Sequence, residues 1–342
     1  MFELYKRLAR GCKTINQLNR VHISLERRLT PLELMRLRSE LAAQPKSGWL
    51  ALKVERLLNA AGSDNTIVQL FEPLAGSNTL ETSRAWIDKL HRKFLLSGDA
   101  RPQPFVRRRL DKGLSLFECR SDRSQKTLLI GFSGDAERLM MPTTVFLQHL
   151  DARTTDFVLL RTVKRLGYRS GVRGVASDLE ASAAALESLL DSRAYGRVAT
   201  IGTSTGGLPA ILVGLRMGVD ATLSIGPNNP NDVRWTQFTK DRGITELFRY
   251  FAGANTRLPD VHLVHGADRP KDVAAVQAIT SRIQVRSIRS VPDASHNALY
   301  PLVERGQLRD LLRSTVIIPP GTRTGFIGNG ETSLAIECRC DS

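Results

Sequence analysis

The 342-residue chain has little cysteine: Cys12, Cys119, Cys338 and Cys340 are the full set. Four scattered thiols cannot lay out a disulfide framework, and they suit a reducing compartment. Cys338-Arg-Cys340 is half of a metal-ligand spacing with no second pair beside it, so no metal is expected. Long apolar runs are missing too. No stretch approaches the ~18 residues that a spanning helix needs. The start, Met1-Phe-Glu-Leu-Tyr-Lys-Arg-Leu-Ala-Arg10, lacks the apolar core of a secretory leader. These absences lead us to expect a soluble, cytoplasmic protein with no transmembrane segment. Histidine is sparse, with six residues, which keeps the list of possible general bases short. Acid is in deficit, because 34 Asp and Glu against 49 Lys and Arg leave a formal charge of +15.

That charge is uneven. Residues 1–112 hold 21 Lys and Arg against 11 Asp and Glu, so the front third carries +10 of the total. A basic surface attracts anionic molecules through a salt-screened field. A small-molecule or polymer-borne substrate of anionic character is therefore an expected partner, and nucleic acid is not.

Residues 1–97 read as an all-helical accessory domain. Thr30-Pro31-Leu32-Glu33 is a capping box with proline at the first helical position, and Leu34, Leu37 and Leu41 then share one face. Ser47 is placed to cap a helix whose apolar stripe is Leu50, Val54, Leu57 and Leu58, with Gly62 past its end. A third stripe, Ile87, Leu90 and Phe94, follows a start near Asn78. Residues 98–104, with two prolines, have linker composition. The pattern then alternates. Strands are predicted at Leu114–Cys119, Lys126–Gly131, Phe157–Arg161, Val198–Ile201, Ala221–Ile225, Val261–Val264 and Gln284–Ile288. Helices are predicted between them, with the last at Leu302–Leu312. Strands separated by helices specify an α/β, doubly wound, mostly parallel sheet whose ligands sit at the strands' carboxyl ends. The catalytic domain is placed at 105–315 and a tail at 316–342.

Gly202-Thr203-Ser204-Thr205-Gly206 lies between a β-branched run and the apolar stretch Leu208–Leu215, so it reads as strand, sharp turn, helix. Glycine on both sides of such a turn lets strand and helix approach closely. The turn lifts the Ser204 hydroxyl above the sheet edge and leaves the Thr205 amide at a helix start, free to meet an oxyanion. Ser204 is the candidate nucleophile.

This segment resembles the nucleophile elbow of the α/β-hydrolase superfamily, and the resemblance extends over about residues 105–315. It implies a serine esterase or related acyl hydrolase with a Ser-Asp-His triad and no cofactor. Thr127-Leu-Leu-Ile-Gly-Phe-Ser-Gly134 resembles the strand and turn that supply the second oxyanion donor, which places that donor at the Phe132 amide or else the Ser133 amide. Gly167-Tyr-Arg-Ser-Gly-Val-Arg-Gly174 resembles the Arg-Gly-rich loop at the rim of the site, with Arg169 and Arg173 facing the substrate. The family's acid position falls on Asp268, with Asp272 the alternative and Asp232 a less usual location. Its base falls on His296, the one histidine after Asp268. His22, His91, His149, His262 and His265 read as structural. Two further functions stay open: an acyltransferase or thioesterase acting on a carrier-bound acyl group, and a non-catalytic binding module.

Overall fold

A computed structural model describes residues 1–61, 80–96, 103–111, 113–162, 167–172, 174–233, 235, 243–253 and 258–317. Five helices come first: α1 Phe2–Arg10, α2 Ile15–Glu26, α3 Pro31–Ala42, α4 Trp49–Ala61 and α5 Glu81–Leu95. Strands β1 Val106–Asp111, β2 Leu114–Glu118 and β3 Thr127–Phe132 follow, then α6 Thr143–Leu147, β4 Thr155–Leu160, α7 Leu179–Leu190 and β5 Arg197–Thr203. The chain continues through α8 Gly207–Met217, β6 Ala221–Ile225, α9 Gly243–Ala252, β7 Asp260–Gly266 and α10 Pro270–Thr280. It closes with β8 Ser287–Val291, α11 Leu299–Glu304 and α12 Leu308–Leu312. The expected points at Gly62, Asn78, Arg173, most of the linker and most of the tail lie outside the described residues.

Local chemistry accounts for the helix starts. At α3 the Thr30 hydroxyl accepts from the Glu33 amide at 3.2 Å, while Glu33 accepts from the Thr30 amide at 2.8 Å. Thr14 and Gln17 repeat the device at α2, and each such box is worth about 1 kcal/mol.

The sheet has eight strands in the order β1-β2-β4-β3-β5-β6-β7-β8. β2 runs antiparallel to both neighbours, and every later pairing is parallel. Its central strands are buried on both faces, with β3, β4 and β6 enclosed along their whole lengths, as their unbroken apolar runs require. Alternation along β3 sends Leu128, Ile130 and Phe132 to one face, against α7, α8, α9 and α10. Leu129 goes to the other face.

The core on that second face extends into the N-terminal helices. Tyr5, Leu18, Leu34, Leu37, Leu41, Val54, Ile87, Leu90 and Phe94 share one buried cluster with Phe117, Leu129, Phe157 and Leu159 of the sheet. The expected N-terminal helical region is present, and its α3 and α5 pack on α6. Their leucine stripes announce a buried face but not the surface it meets.

Candidate active site

The loops at the carboxyl ends of β3, β5, β7 and β8 converge. Ser204 follows β5 with φ of 53°, the left-handed conformation that an L-residue rarely takes. The flanking glycines are required by contact. A Cβ at Gly202 would meet the Gly206 carbonyl at 2.1 Å, and one at Gly206 would meet the Phe132 carbonyl at 2.2 Å. A short 3₁₀ turn, Ser204–Gly206, runs into α8, so the Thr205 amide sits at a helix start where amides lack intrahelical acceptors.

His296, in the loop between β8 and α11, reaches back to the serine. The Ser204 hydroxyl lies 2.8 Å from His296 Nε2, and His296 Nδ1 lies 2.9 Å from an Asp272 carboxylate oxygen. The tautomer with its proton on Nδ1 satisfies both contacts, because Nδ1–H then donates to Asp272 and Nε2 accepts from Ser204. The Asp272 side chain is only 6% exposed and that of His296 38%, so the carboxylate is enclosed and the imidazole faces the cleft. Asn297 donates to the Met140 carbonyl at 3.0 Å, which ties the histidine loop to the loop after β3.

The carboxylate on His296 is that of Asp272, where the family position had pointed to Asp268. Proline at the first position of α10 starts the helix at residue 270, and Asp272 falls in its first turn. Side chains there tilt toward the helix N-terminus, which returns this carboxylate over the end of β7. Asp268 lies in the preceding turn. It is exposed, and its amide donates to the Ala294 carbonyl at 3.1 Å. Asp232 follows β6, and both ring nitrogens of His296 are taken by Asp272 and Ser204.

The expected oxyanion donors at the end of β3 are both directed into the sheet. The Ser133 amide donates to Leu160 at 3.1 Å, and the Thr127 amide donates to Thr154 at 2.9 Å. Ladder alternation therefore turns the Phe132 amide the opposite way, to β5, where Phe132 stands opposite Gly202. β3 runs one residue further than its sequence suggests. The next loop residues crowd the elbow. A Cβ at Gly134 would come 3.2 Å from Ser204 Cβ, and Asp135 accepts from the Thr205 hydroxyl at 3.0 Å.

Of the expected rim arginines, Arg169 is half-buried in a loop that lies beside the elbow, with the Cβ position of Gly167 3.7 Å from the Thr205 carbonyl. Arg173 lies outside the described residues. The buried Tyr168, at φ of 64°, props this loop, with its hydroxyl donating to the Leu160 carbonyl at 2.8 Å and 3.1 Å from Ser133 Oγ. Burial pushes the Tyr168 phenol above its ordinary range.

The chain folds as an α/β-hydrolase. The antiparallel second strand, the strand order, and a serine after β5 with a carboxylate after β7 and a histidine after β8 carry that conclusion. No protein-family model matches the chain, and no curated protein sequence does. Solved structures with this fold that resemble it include a dienelactone hydrolase from Anabaena variabilis. That protein is 15% identical over 62% of this chain and 97% of its own, with a TM-score of 0.43. An α/β serine hydrolase homologue from Coxiella burnetii is 16% identical over 61% and 94%, with a TM-score of 0.40. Esterase B from Lactobacillus rhamnosis is 13% identical over 68% and 96%, with a TM-score of 0.42.

No helix among the described residues is long and apolar enough to cross a membrane. The sequence reading held Asp272 as the alternative acid, and Pro270 was an available signal in its favour. One feature escaped it: the arginines whose charges act on Arg161, for which Arg161, closing the apolar run Phe157-Val-Leu-Leu, was the only trace.

Proposed function

We propose that this α/β-hydrolase is a serine hydrolase that cleaves a carboxylic ester through an acyl-enzyme on Ser204. The observation that carries the reading is the unbroken hydrogen-bonded path from Ser204 through His296 to Asp272. Ser204 Oγ attacks the acyl carbon while its proton passes to His296 Nε2, and Asp272 holds the tautomer and stabilises the imidazolium. Collapse of the tetrahedral intermediate expels the alcohol, which takes the proton from His296. Water, activated by the same imidazole, then attacks the acyl-enzyme and releases the acid. The Thr205 amide is one oxyanion donor. The Asp135 amide, beside Thr205 and with no backbone acceptor among the described residues, is our choice for the other.

A thioester or a carrier-bound acyl group would follow the same path, with a different leaving group or acceptor. The test is turnover of p-nitrophenyl esters of increasing chain length, with and without added alcohol as acceptor. Ser204→Ala and His296→Ala are each expected to lower kcat by roughly 10^4- to 10^6-fold, and the double variant by little more, because the groups act as a unit. Additive losses, or turnover that survives Ser204→Ala, would overturn the reading.

A further inference from the structure

Arg161 follows β4 at the carboxyl end of the sheet and is 9% exposed. One of its terminal nitrogens donates to Ser115 Oγ at 3.0 Å, and its backbone amide donates to the Gly113 carbonyl at 2.9 Å. Its Nε is buried with no hydrogen-bond partner among the described residues. The charges that act on it are those of Arg28, Glu137, Arg107 and Arg27, and Arg107, Arg109 and Arg27 act likewise on Arg28. The one carboxylate of this group is engaged, since Glu137 accepts from Arg27 at 2.8 Å. Nε of Arg27 is likewise buried without a partner. Burial first, then the neighbouring cations, lowers the Arg161 guanidinium to about 10. A guanidinium removed from water and set among like charges is costly unless an anion meets it.

The cluster borders the proposed catalytic serine. Arg161 ends β4, which pairs with β3, which pairs with β5, so the backbones at Arg161 and Ser204 stand two strands apart, roughly 10 Å, and the Arg161 side chain turns to the β2 side of β4, where it meets Ser115. One loop spans the gap: Gly134 packs on Ser204, and Glu137, three residues on, holds Arg27.

We propose that Arg161, on which the charges of Arg28 and Arg107 act, is an anion subsite that takes a carboxylate or phosphate group of the substrate more than two strand spacings, roughly 10 Å, from the acyl carbon under attack. The assignment of the bound molecule as substrate rests on the serine-hydrolase reading, whereas the binding of an anion does not.

Two measurements on the full chain separate these claims. The first is calorimetric titration of Ser204→Ala with inorganic phosphate and with glutarate, repeated with Arg161→Gln or Arg107→Gln added. Binding of at least one anion is expected, weakened about 10- to 100-fold by either arginine change. Arg107, half-buried on β1, gives a variant that keeps the core if Arg161→Gln fails to fold. The second is the ratio of kcat/KM for mono-p-nitrophenyl sebacate, whose chain is long enough to span the gap, to that for p-nitrophenyl decanoate, which is expected to fall by a similar factor in both variants. Binding of phosphate alone assigns a phosphate group, and binding of glutarate alone a carboxylate. Arginine-dependent binding by a protein that hydrolyses neither ester would keep the subsite and overturn the hydrolase reading. No binding of either anion, or binding and selectivity that both variants leave unmoved, would overturn the subsite.

Discussion

Replacing Asp272 by asparagine changes one oxygen to an NH2 group at a site that is 5% exposed. In the native protein the carboxylate accepts from His296 Nδ1 at 2.9 Å, so the imidazole presents an unprotonated Nε2 to Ser204, 2.8 Å away. An asparagine amide that donates to Nδ1 moves the proton to Nε2, and the nitrogen facing Ser204 can then no longer accept. The volume is conserved, so the fold is retained. The cost falls on the chemical step, and a wrong tautomer lowers kcat by roughly 10^4-fold with little change in KM. Asp268→Asn is the matched control. Asp268 is exposed and is held through its backbone, so its loss is expected to stay within about twofold. The assay is steady-state hydrolysis of a p-nitrophenyl ester by both variants, with circular dichroism to verify folding. A folded Asp272→Asn protein that retains more than about a tenth of wild-type kcat would refute the role given to this carboxylate, as would a larger loss in Asp268→Asn.

Other expected outcomes follow from the core and from buried histidines. A chain beginning at Gln103 strips α3 and α5 from α6, whose Val145, Phe146 and Leu147 are buried in the shared cluster. At about 1.5–3 kcal/mol for each side chain exposed, the loss rivals the entire stability of a domain. That chain is therefore expected to be insoluble or to bind a hydrophobic dye, and a soluble, cooperatively melting product would contradict the shared core. His22 stacks on Trp86 with ring centroids 4.3 Å apart, and burial lowers it to about 3 from 6.5. The unfolded state takes the proton first, so this contribution is complete above about pH 6.5 and is lost as pH falls toward 3. By pH 4 the loss from His22 is roughly 3 kcal/mol. Burial also lowers His149 and His262, each to about 4, so they act in the same direction. Urea midpoints are expected to fall between pH 6.5 and 4, and less steeply in His22→Phe, which keeps the stack. An unchanged slope in that variant would remove His22 from the account.

Different parts of the site were readable in the sequence to different degrees. The position of Ser204 follows from a local rule, since glycines on both sides of a serine between strand and helix leave few other conformations. His296 followed from the order of the chain and the scarcity of histidine. The acid did not, because its place depends on where α10 begins, and a shift of one turn exchanges Asp268 for Asp272. The oxyanion donors depend on the last ladder bond of β3, which sequence alternation leaves undetermined by a residue. The packing of the first five helices and the gathering of Arg27, Arg28, Arg107 and Arg161 are long-range facts. Each of those arginines reads as a surface charge until the fold brings β1, β4 and the end of α2 within electrostatic reach of one another.

The central claim is that Ser204 is a nucleophile activated by His296. Its most direct test is reaction of the full chain with a fluorophosphonate, followed by mapping of the modified residue. The account predicts stoichiometric labelling at Ser204, slowed strongly by His296→Ala and abolished by Ser204→Ala. Labelling that persists in Ser204→Ala, or an intact folded protein that does not react, would contradict it.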